Sequence, residues 1–261
     1  AAMNRRSIDR TKIFLALLAG ALMAWAFPRP ALFPLAWTGL VPLWLALRDV
    51  GPGDAFRLGL AAGTAHALLL VYWIAHTMTT YGGLPLPLAA GVLLLLALYI
   101  GSYWGAWAAL LVRFGRRPAV ALAQGPALWA GLEYLRAVLL TGFPWGLAGH
   151  SQLPWRTLVQ MVDLTGVYGL SFLIVLGNAA LALQVLAVGG KPWQGAPIPP
   201  RLRRRALVLA AALPAAALAY GAWRIHSLEP ELAAAPTLRA AVVQGNIPQG
   251  LKWDRAFQIG S

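Results

Sequence analysis

The chain has 261 residues, 59% of them hydrophobic and 11% charged, with 21 Lys and Arg against 8 Asp and Glu and no cysteine. Less than half the usual charged fraction leaves too little polar surface to cover a water-soluble globule of this size, and the mean hydropathy of +0.66 agrees. An ordinary soluble enzyme and a disulfide scaffold are therefore excluded, as are thiolate metal sites and a cysteine nucleophile within these residues.

In chain order, Arg5, Arg6, Arg10 and Lys12 precede an apolar run at 13–27. No small-residue cleavage pattern follows it, so it reads as a first span rather than a signal peptide. A second run, 31–47, carries Pro34 and Pro42 and is expected to be short or kinked. Residues 58–112 contain no Asp, Glu, Lys or Arg, and the turn-forming Tyr81–Pro87 divides them into spans near 58–78 and 88–112. Further spans are expected near 119–140, 160–188 and 206–223, giving an all-α polytopic protein of about seven transmembrane helices. Residues 224–236 read as a polar linker. Leu238–Gln244 reads as a short strand, and Asp254 is suited to cap a helix starting near Arg255. Residues 237–261 thus read as the truncated start of an α/β domain, too little chain to bury a core alone.

Seven alternating spans from a cytoplasmic N-terminus place 14 of the 21 basic residues in cytoplasmic segments. Only Arg29 and Arg156 fall in the outer loops between spans. The net charge of +13 is therefore a topology signal, not a nucleic-acid footprint. Trp25, Trp37, Trp73, Trp145, Trp155 and Trp223 fall near outer span ends, as an interfacial aromatic belt would. Gly59, Gly63, Gly101 and Gly105 suit close helix packing.

Ionised groups within a span cost about 3 kcal/mol each on insertion scales, so each calls for a reason. Glu133 and Arg136 share one face of the fifth span and can pair. They read either as a buried pair that fixes helix register or as the polar wall of a lipid headgroup or substrate site. His66 and His76 lie ten residues apart, about 15 Å along a helix, and cannot share a metal ion. Asn178 is expected to bond a neighbouring helix, and Asp163 to face the outer loop. The segment Leu140–Gln152 is rich in Gly and Pro, carries Phe143 and Trp145, and supplies donors and acceptors from His150, Ser151 and Gln152. It reads as a re-entrant or surface loop in contact with lipid.

Several of these segments together resemble one family. They are Glu133-Tyr134-Leu135-Arg136, Leu140-Thr141-Gly142-Phe143-Pro144-Trp145, Gly149-His150-Ser151-Gln152, and Val243-Gln244-Gly245-Asn246-Ile247-Pro248-Gln249 with Lys252-Trp253-Asp254. Tyr72-Trp73 and Tyr81-Gly82-Gly83 also fit. In this order and spacing the chain resembles the apolipoprotein N-acyltransferases of bacterial lipoprotein maturation.

That resemblance implies a helical inner-membrane domain joined to a periplasmic nitrilase-like domain, with residues after 224 on the periplasmic side. It implies an acyltransferase that moves an acyl chain from a phospholipid to a cysteine and then to the N-terminal cysteine amine of a diacylglyceryl apolipoprotein. A Glu–Lys–Cys triad would carry both half-reactions through a thioester. No catalytic residue is assigned within this chain, which has no cysteine; the triad is expected after Ser261, and the chain alone is expected to be inactive. Trp253, Lys252 and Gln244 would belong to the surroundings of the active site, and Phe143 and Trp145 to the place where lipid enters. No metal or diffusible cofactor and no nucleic acid are implied, and the protein is expected to be a monomer. The competing readings are a multi-pass transporter built around Glu133 and Arg136, and a structural membrane scaffold.

Overall fold

A computed structural model describes residues 8–244 and 246. Among these the ordered elements are all helical, with no β-strand. Helix α1 (Arg10–Trp25) begins where the Asp9 carboxylate accepts the Lys12 N–H at 2.8 Å, a side-chain N-cap. The expected second span is broken. It consists of a 3-10 turn at Phe33–Trp37 and a six-residue helix α2 (Val41–Ala46), because Pro34 and Pro42 each withhold a backbone donor. The backbone groups freed by the break are met by side chains from elsewhere. Gln152 Nε2 donates to the Phe33 carbonyl at 3.0 Å and Asn178 Nδ2 to the Ala36 carbonyl at 2.7 Å, while Asn178 Oδ1 accepts the Leu40 N–H at 2.8 Å. Protein cover of this kind is what allows non-helical backbone at membrane depth.

Helix α3 (Pro52–Leu70) is followed after a short break by α4 (Trp73–Thr80), bent from it by 52°. The region expected as the third span is thus a bent pair. The chain continues through α5 (Leu86–Phe114), α6 (Pro118–Val138), the short α7 (Arg156–Val159), α8 (Val162–Val188) and α9 (Pro200–Ala234). Helices α5, α8 and α9 are long and apolar enough to cross a membrane, and the bent pair α3–α4 makes a fourth candidate. Helix α1, with 16 residues, is shorter than a typical span, and α6 carries Gln124, Glu133 and Arg136 among its apolar residues.

The linker expected at 224–236 is instead helical to Ala234. Thirty-five residues of α9 make a rod of about 52 Å, well beyond the ~30 Å hydrocarbon core. Its later part is tied back to α8, where the Asp163 carboxylate accepts from the Tyr220 hydroxyl at 2.8 Å and from Arg224 Nε at 3.1 Å. Residues 238–244, read from sequence as a strand, are exposed and outside any helix or strand. A strand needs a pairing partner, and among the described residues none lies beside this segment. The Lys252–Asp254 motif and the helix expected near Arg255 lie outside the described residues.

The most extensive helix contact is between α3 and α5, where small residues let backbones approach. A Cβ on Gly63 would sit 2.8 Å from the Gly101 Cα, and one on Gly59 would sit 2.9 Å from the Gly105 Cα. Not every tryptophan belongs to a belt. Trp44, Trp107 and Trp193 are buried together with ring centroids 5.3 to 5.8 Å apart. Trp107 Nε1 donates to the Gly125 carbonyl at 2.8 Å and Trp193 Nε1 to the Gly115 carbonyl at 2.7 Å. Trp25, Trp73, Trp145 and Trp223 are exposed, as belt residues should be.

The two ends of the bundle differ in chemistry. Lys12 Nζ donates to the Arg48 carbonyl and Gln194 Nε2 to the Leu47 carbonyl, which gathers one end around basic residues. The other end carries the 139–155 segment and its aromatic residues.

Candidate functional site: an anchored aromatic loop

Helix α6 ends abruptly at Val138. Leu140 and Thr141 have positive φ (52° and 72°), and Gly142 follows at φ 81°. A Cβ on Gly142 would overlap the Ala137 carbonyl, so only glycine fits this reversal. The turn lets the Phe143 N–H donate to the Arg136 carbonyl at 2.9 Å, one of the helix-end carbonyls that otherwise lack a partner. Gly146 (φ 68°) repeats the device, since a Cβ there would overlap Leu70.

Beyond the turn the chain is pinned by the buried polar residues of α6 and α8. Glu133 is 6% exposed, and its Oε1 accepts from Trp129 Nε1 at 2.9 Å and from the Ala148 N–H at 2.7 Å. Ala148 opens a 3-10 turn, Ala148–Gln152, so the carboxylate meets an end-of-helix donor where negative charge is favoured. The next N–H, Gly149, donates to Ser171 Oγ at 2.9 Å. Ser151 Oγ donates to the Ala148 carbonyl at 2.6 Å, and Gln152 Oε1 accepts from Trp37 Nε1 at 3.0 Å. Ser151 and Gln152, expected on a lipid-contacting loop, thus face inward and hold the turn. His150 is exposed, while its partly buried ring and the nearby Arg136 charge hold its pKa below the ordinary imidazole value.

This base presents an aromatic tip. Trp145, 50% exposed, lies 5.2 Å from the Trp73 ring and 5.7 Å from the Phe143 ring, centroid to centroid. Phe143 packs inward against Ala67, Ala97 and Ile100, while Tyr72 and Leu140 are exposed beside the tip. The loop is therefore held by hydrogen bonds below and presents aromatic and aliphatic side chains above.

Glu133 and Arg136 share a helix face and a cavity, yet they make no ion-pair contact; the carboxylate spends its Oε1 on Trp129 and Ala148. Arg136, 4% exposed, stands near the side chains of Tyr99, Tyr103 and Tyr168. The cavity, about 20 Å³ and lined also by Trp104, Trp107 and Leu132, holds roughly one water. His66 is buried between Phe27 and Trp104, with centroids at 5.8 and 5.0 Å, and His76 lies across the bend on α4. Asn178 bonds the broken second segment, the helix-to-helix role expected of it.

Of the site residues expected from sequence, the structure brings Phe143 and Trp145 together over a base made by Glu133. Gln244 is exposed in the segment after α9, and Lys252 and Trp253 lie outside the described residues. The anchoring roles of Trp129, Ser171 and Trp37 went unread in the sequence. Two of them left a signal: Trp129 is four residues before Glu133 on the same helix face, and Ser171 is seven before Asn178 on an otherwise apolar helix.

Residues 19–180, which hold the loop and its anchors, match the family model described as the apolipoprotein N-acyltransferase N-terminal domain. Curated relatives named apolipoprotein N-acyltransferase include proteins of Geobacter metallireducens (42% identical over 97% of this chain and 46% of the relative) and Chromobacterium violaceum (37% over 93% and 45%). A third, from Azotobacter vinelandii, is 38% identical over 92% of this chain and 44% of its own length. The chain spans less than half the length of these relatives. With the family model covering more than half of the chain and with these identities, the chain belongs to the apolipoprotein N-acyltransferase family.

Proposed function

We propose that these helices form the inner-membrane part of an enzyme that acylates apolipoproteins. It would take an acyl chain from a phospholipid, hold it as a cysteine thioester, and pass it to the N-terminal cysteine amine of a diacylglyceryl apolipoprotein. A thioester divides one difficult acyl transfer into two easier steps. The chain contains no cysteine, so in this reading the nucleophile and its Glu and Lys partners lie outside these 261 residues. The present residues bind and orient lipid, with the N-terminus and the basic end cytoplasmic and the aromatic loop periplasmic. Trp253 and Lys252 would stand at the edge of the reaction centre, with Gln244 leading into it.

The carrying observation is the aromatic tip, Trp145 half exposed over the inward-packed Phe143, on a base fixed by the Glu133 carboxylate and Ser171. Such a loop costs little ordering on binding, because its backbone is already held. Helix α9, about 52 Å long, supports the reading by being longer than the ~30 Å hydrocarbon core. A transport pathway around Glu133 and Arg136 is less well supported, since their shared cavity is the size of one water. The test is acyl transfer from a fluorescent phospholipid by the intact protein. Trp145→Ala should lower turnover with thermal stability kept; wild-type turnover in that variant would remove the loop from the reaction.

A further inference from the structure

Arg136 is a buried cation that the anchoring of the loop does not use. It is 4% exposed, and a guanidinium keeps its charge inside a protein, so its burial calls for a partner. Among the described residues it makes no hydrogen bond and no ion pair. Its nitrogens are nonetheless not sealed off as Glu133 Oε2 is; they keep open surface, and the residue lines the small cavity it shares with Glu133. An unanswered charge of this kind within a membrane helix points to a functional site.

The cavity is a crevice between α5 and α6. Trp104, Trp107 and Trp129 are buried along it, whereas Tyr103 and Leu132 are half-buried, so it opens to the outside of the bundle past these two. Its volume of about 20 Å³ admits one oxygen-sized group and no larger molecule as a whole.

The walls supply donors, while the acceptors are already used. The Tyr99 and Tyr103 hydroxyls share one hydrogen bond at 3.0 Å, which leaves one phenol hydrogen of the pair free. The carboxylate of Glu133 is spent at Oε1 on Trp129 and Ala148, and its Oε2 has no open surface. A water in the crevice would find no carboxylate for its own hydrogens and would leave the guanidinium charge unbalanced. An anionic oxygen meets both needs, since it accepts hydrogen bonds and carries the opposite charge.

The position of the crevice indicates where that oxygen comes from. It stands at the foot of the aromatic loop, where the Arg136 carbonyl accepts the Phe143 N–H at 2.9 Å. Leu135, 41% exposed, follows Leu132 one turn further along α6 and offers an apolar surface beside the opening. A lipid that reached in with one oxygen could lay an acyl chain there. We propose that the α5–α6 crevice receives a phosphate oxygen of a membrane phospholipid, bound by the Arg136 guanidinium and the Tyr103 hydroxyl. The choice of a lipid phosphate over a free anion rests on the lipid-binding role proposed above for these helices.

The test uses the intact protein, purified in detergent and stripped of lipid, with binding followed by native mass spectrometry. Phosphatidylglycerol, phosphatidylethanolamine and a diacylglycerol with the same chains are offered in turn, with inorganic phosphate as competitor. Both phospholipids should be held about tenfold more tightly than diacylglycerol, which has no phosphate. Arg136→Gln should abolish that preference, with its melting temperature as the control for folding. Tyr103→Phe removes only a hydroxyl and should weaken phospholipid binding about threefold, which keeps the test decisive if Arg136→Gln does not fold. Equal retention of phospholipid and diacylglycerol, an unchanged preference in a folded Arg136→Gln protein, or unchanged binding in Tyr103→Phe overturns the proposal. Displacement of the lipid by millimolar inorganic phosphate would make this a free-anion site and overturn the lipid assignment. Because binding alone is read, a protein that binds phospholipid through Arg136 but transfers no acyl chain would refute the enzyme reading and support this site.

Discussion

Replacing Glu133 tests whether the loop is held as described. Its Oε1 accepts two buried hydrogen bonds, from Trp129 Nε1 at 2.9 Å and from the Ala148 N–H at 2.7 Å. Glu133→Leu leaves both donors without an acceptor. Hydrogen bonds between membrane helices average about 0.6 kcal/mol and reach about 1.7. Two such bonds therefore predict a loss of about 1–3 kcal/mol. Glu133→Gln keeps an acceptor at Oε1, the atom that meets both donors, so its loss should be smaller, below about 1 kcal/mol. Thermal unfolding in detergent compares the two, and hydrogen exchange should show faster exchange at Ala148 and Gly149 in the Leu variant alone. If Glu133→Leu is as stable as wild type, or Glu133→Gln is as unstable as Glu133→Leu, the anchoring account is wrong.

The other predictions follow the same geometry. Gly63→Val should destabilise by about 1–3 kcal/mol, because its Cβ would meet Trp104 and the Gly101 Cα at 2.6 to 2.8 Å; Gly53→Ala, with open space around its Cβ, should be neutral or slightly stabilising in the same melt. Asn178→Leu removes the partners of the Leu40 N–H and the Ala36 carbonyl and should lower the melting temperature, with faster exchange at Leu40. Arg136→Leu should cost less stability than Glu133→Leu, since the carboxylate keeps its two donors; the reverse order would mean that the pair, not the loop, is what Glu133 serves. In the intact protein, Trp253→Ala should lower acyl transfer while membrane insertion is kept, and unchanged turnover would remove Trp253 from the reaction.

The helices were legible in the sequence where composition alone decides. Charge-free apolar stretches gave α5 and α8 nearly to their ends, and Gly59, Gly63, Gly101 and Gly105 marked the α3–α5 seam. The break in 31–47 was foreshadowed by Pro34 and Pro42. What repairs that break was not, because Gln152 and Asn178 reach it from more than a hundred residues away. The end of α9 was misjudged because Glu229, Pro230 and Glu231 look like a linker, whereas a rod tied by Asp163 to Tyr220 and Arg224 continues through them. For the site, the unusual composition of 140–152 singled out the loop but not its orientation. Ser151 and Gln152 looked like surface donors and are its internal braces. Glu133 and Arg136 looked like a mutual pair, since helical spacing shows who shares a face but not that an N–H fifteen residues on reaches the carboxylate first.

The most direct test of the central claim is covalent. The intact protein in membranes is given a phospholipid with a fluorescent acyl chain, and the label on the protein is challenged with neutral hydroxylamine, which cleaves thioesters. The account predicts a hydroxylamine-sensitive label that weakens in Trp145→Ala and is lost when diacylglyceryl apolipoprotein is added as acceptor. A protein that takes up no label, or a label that resists hydroxylamine, would contradict it.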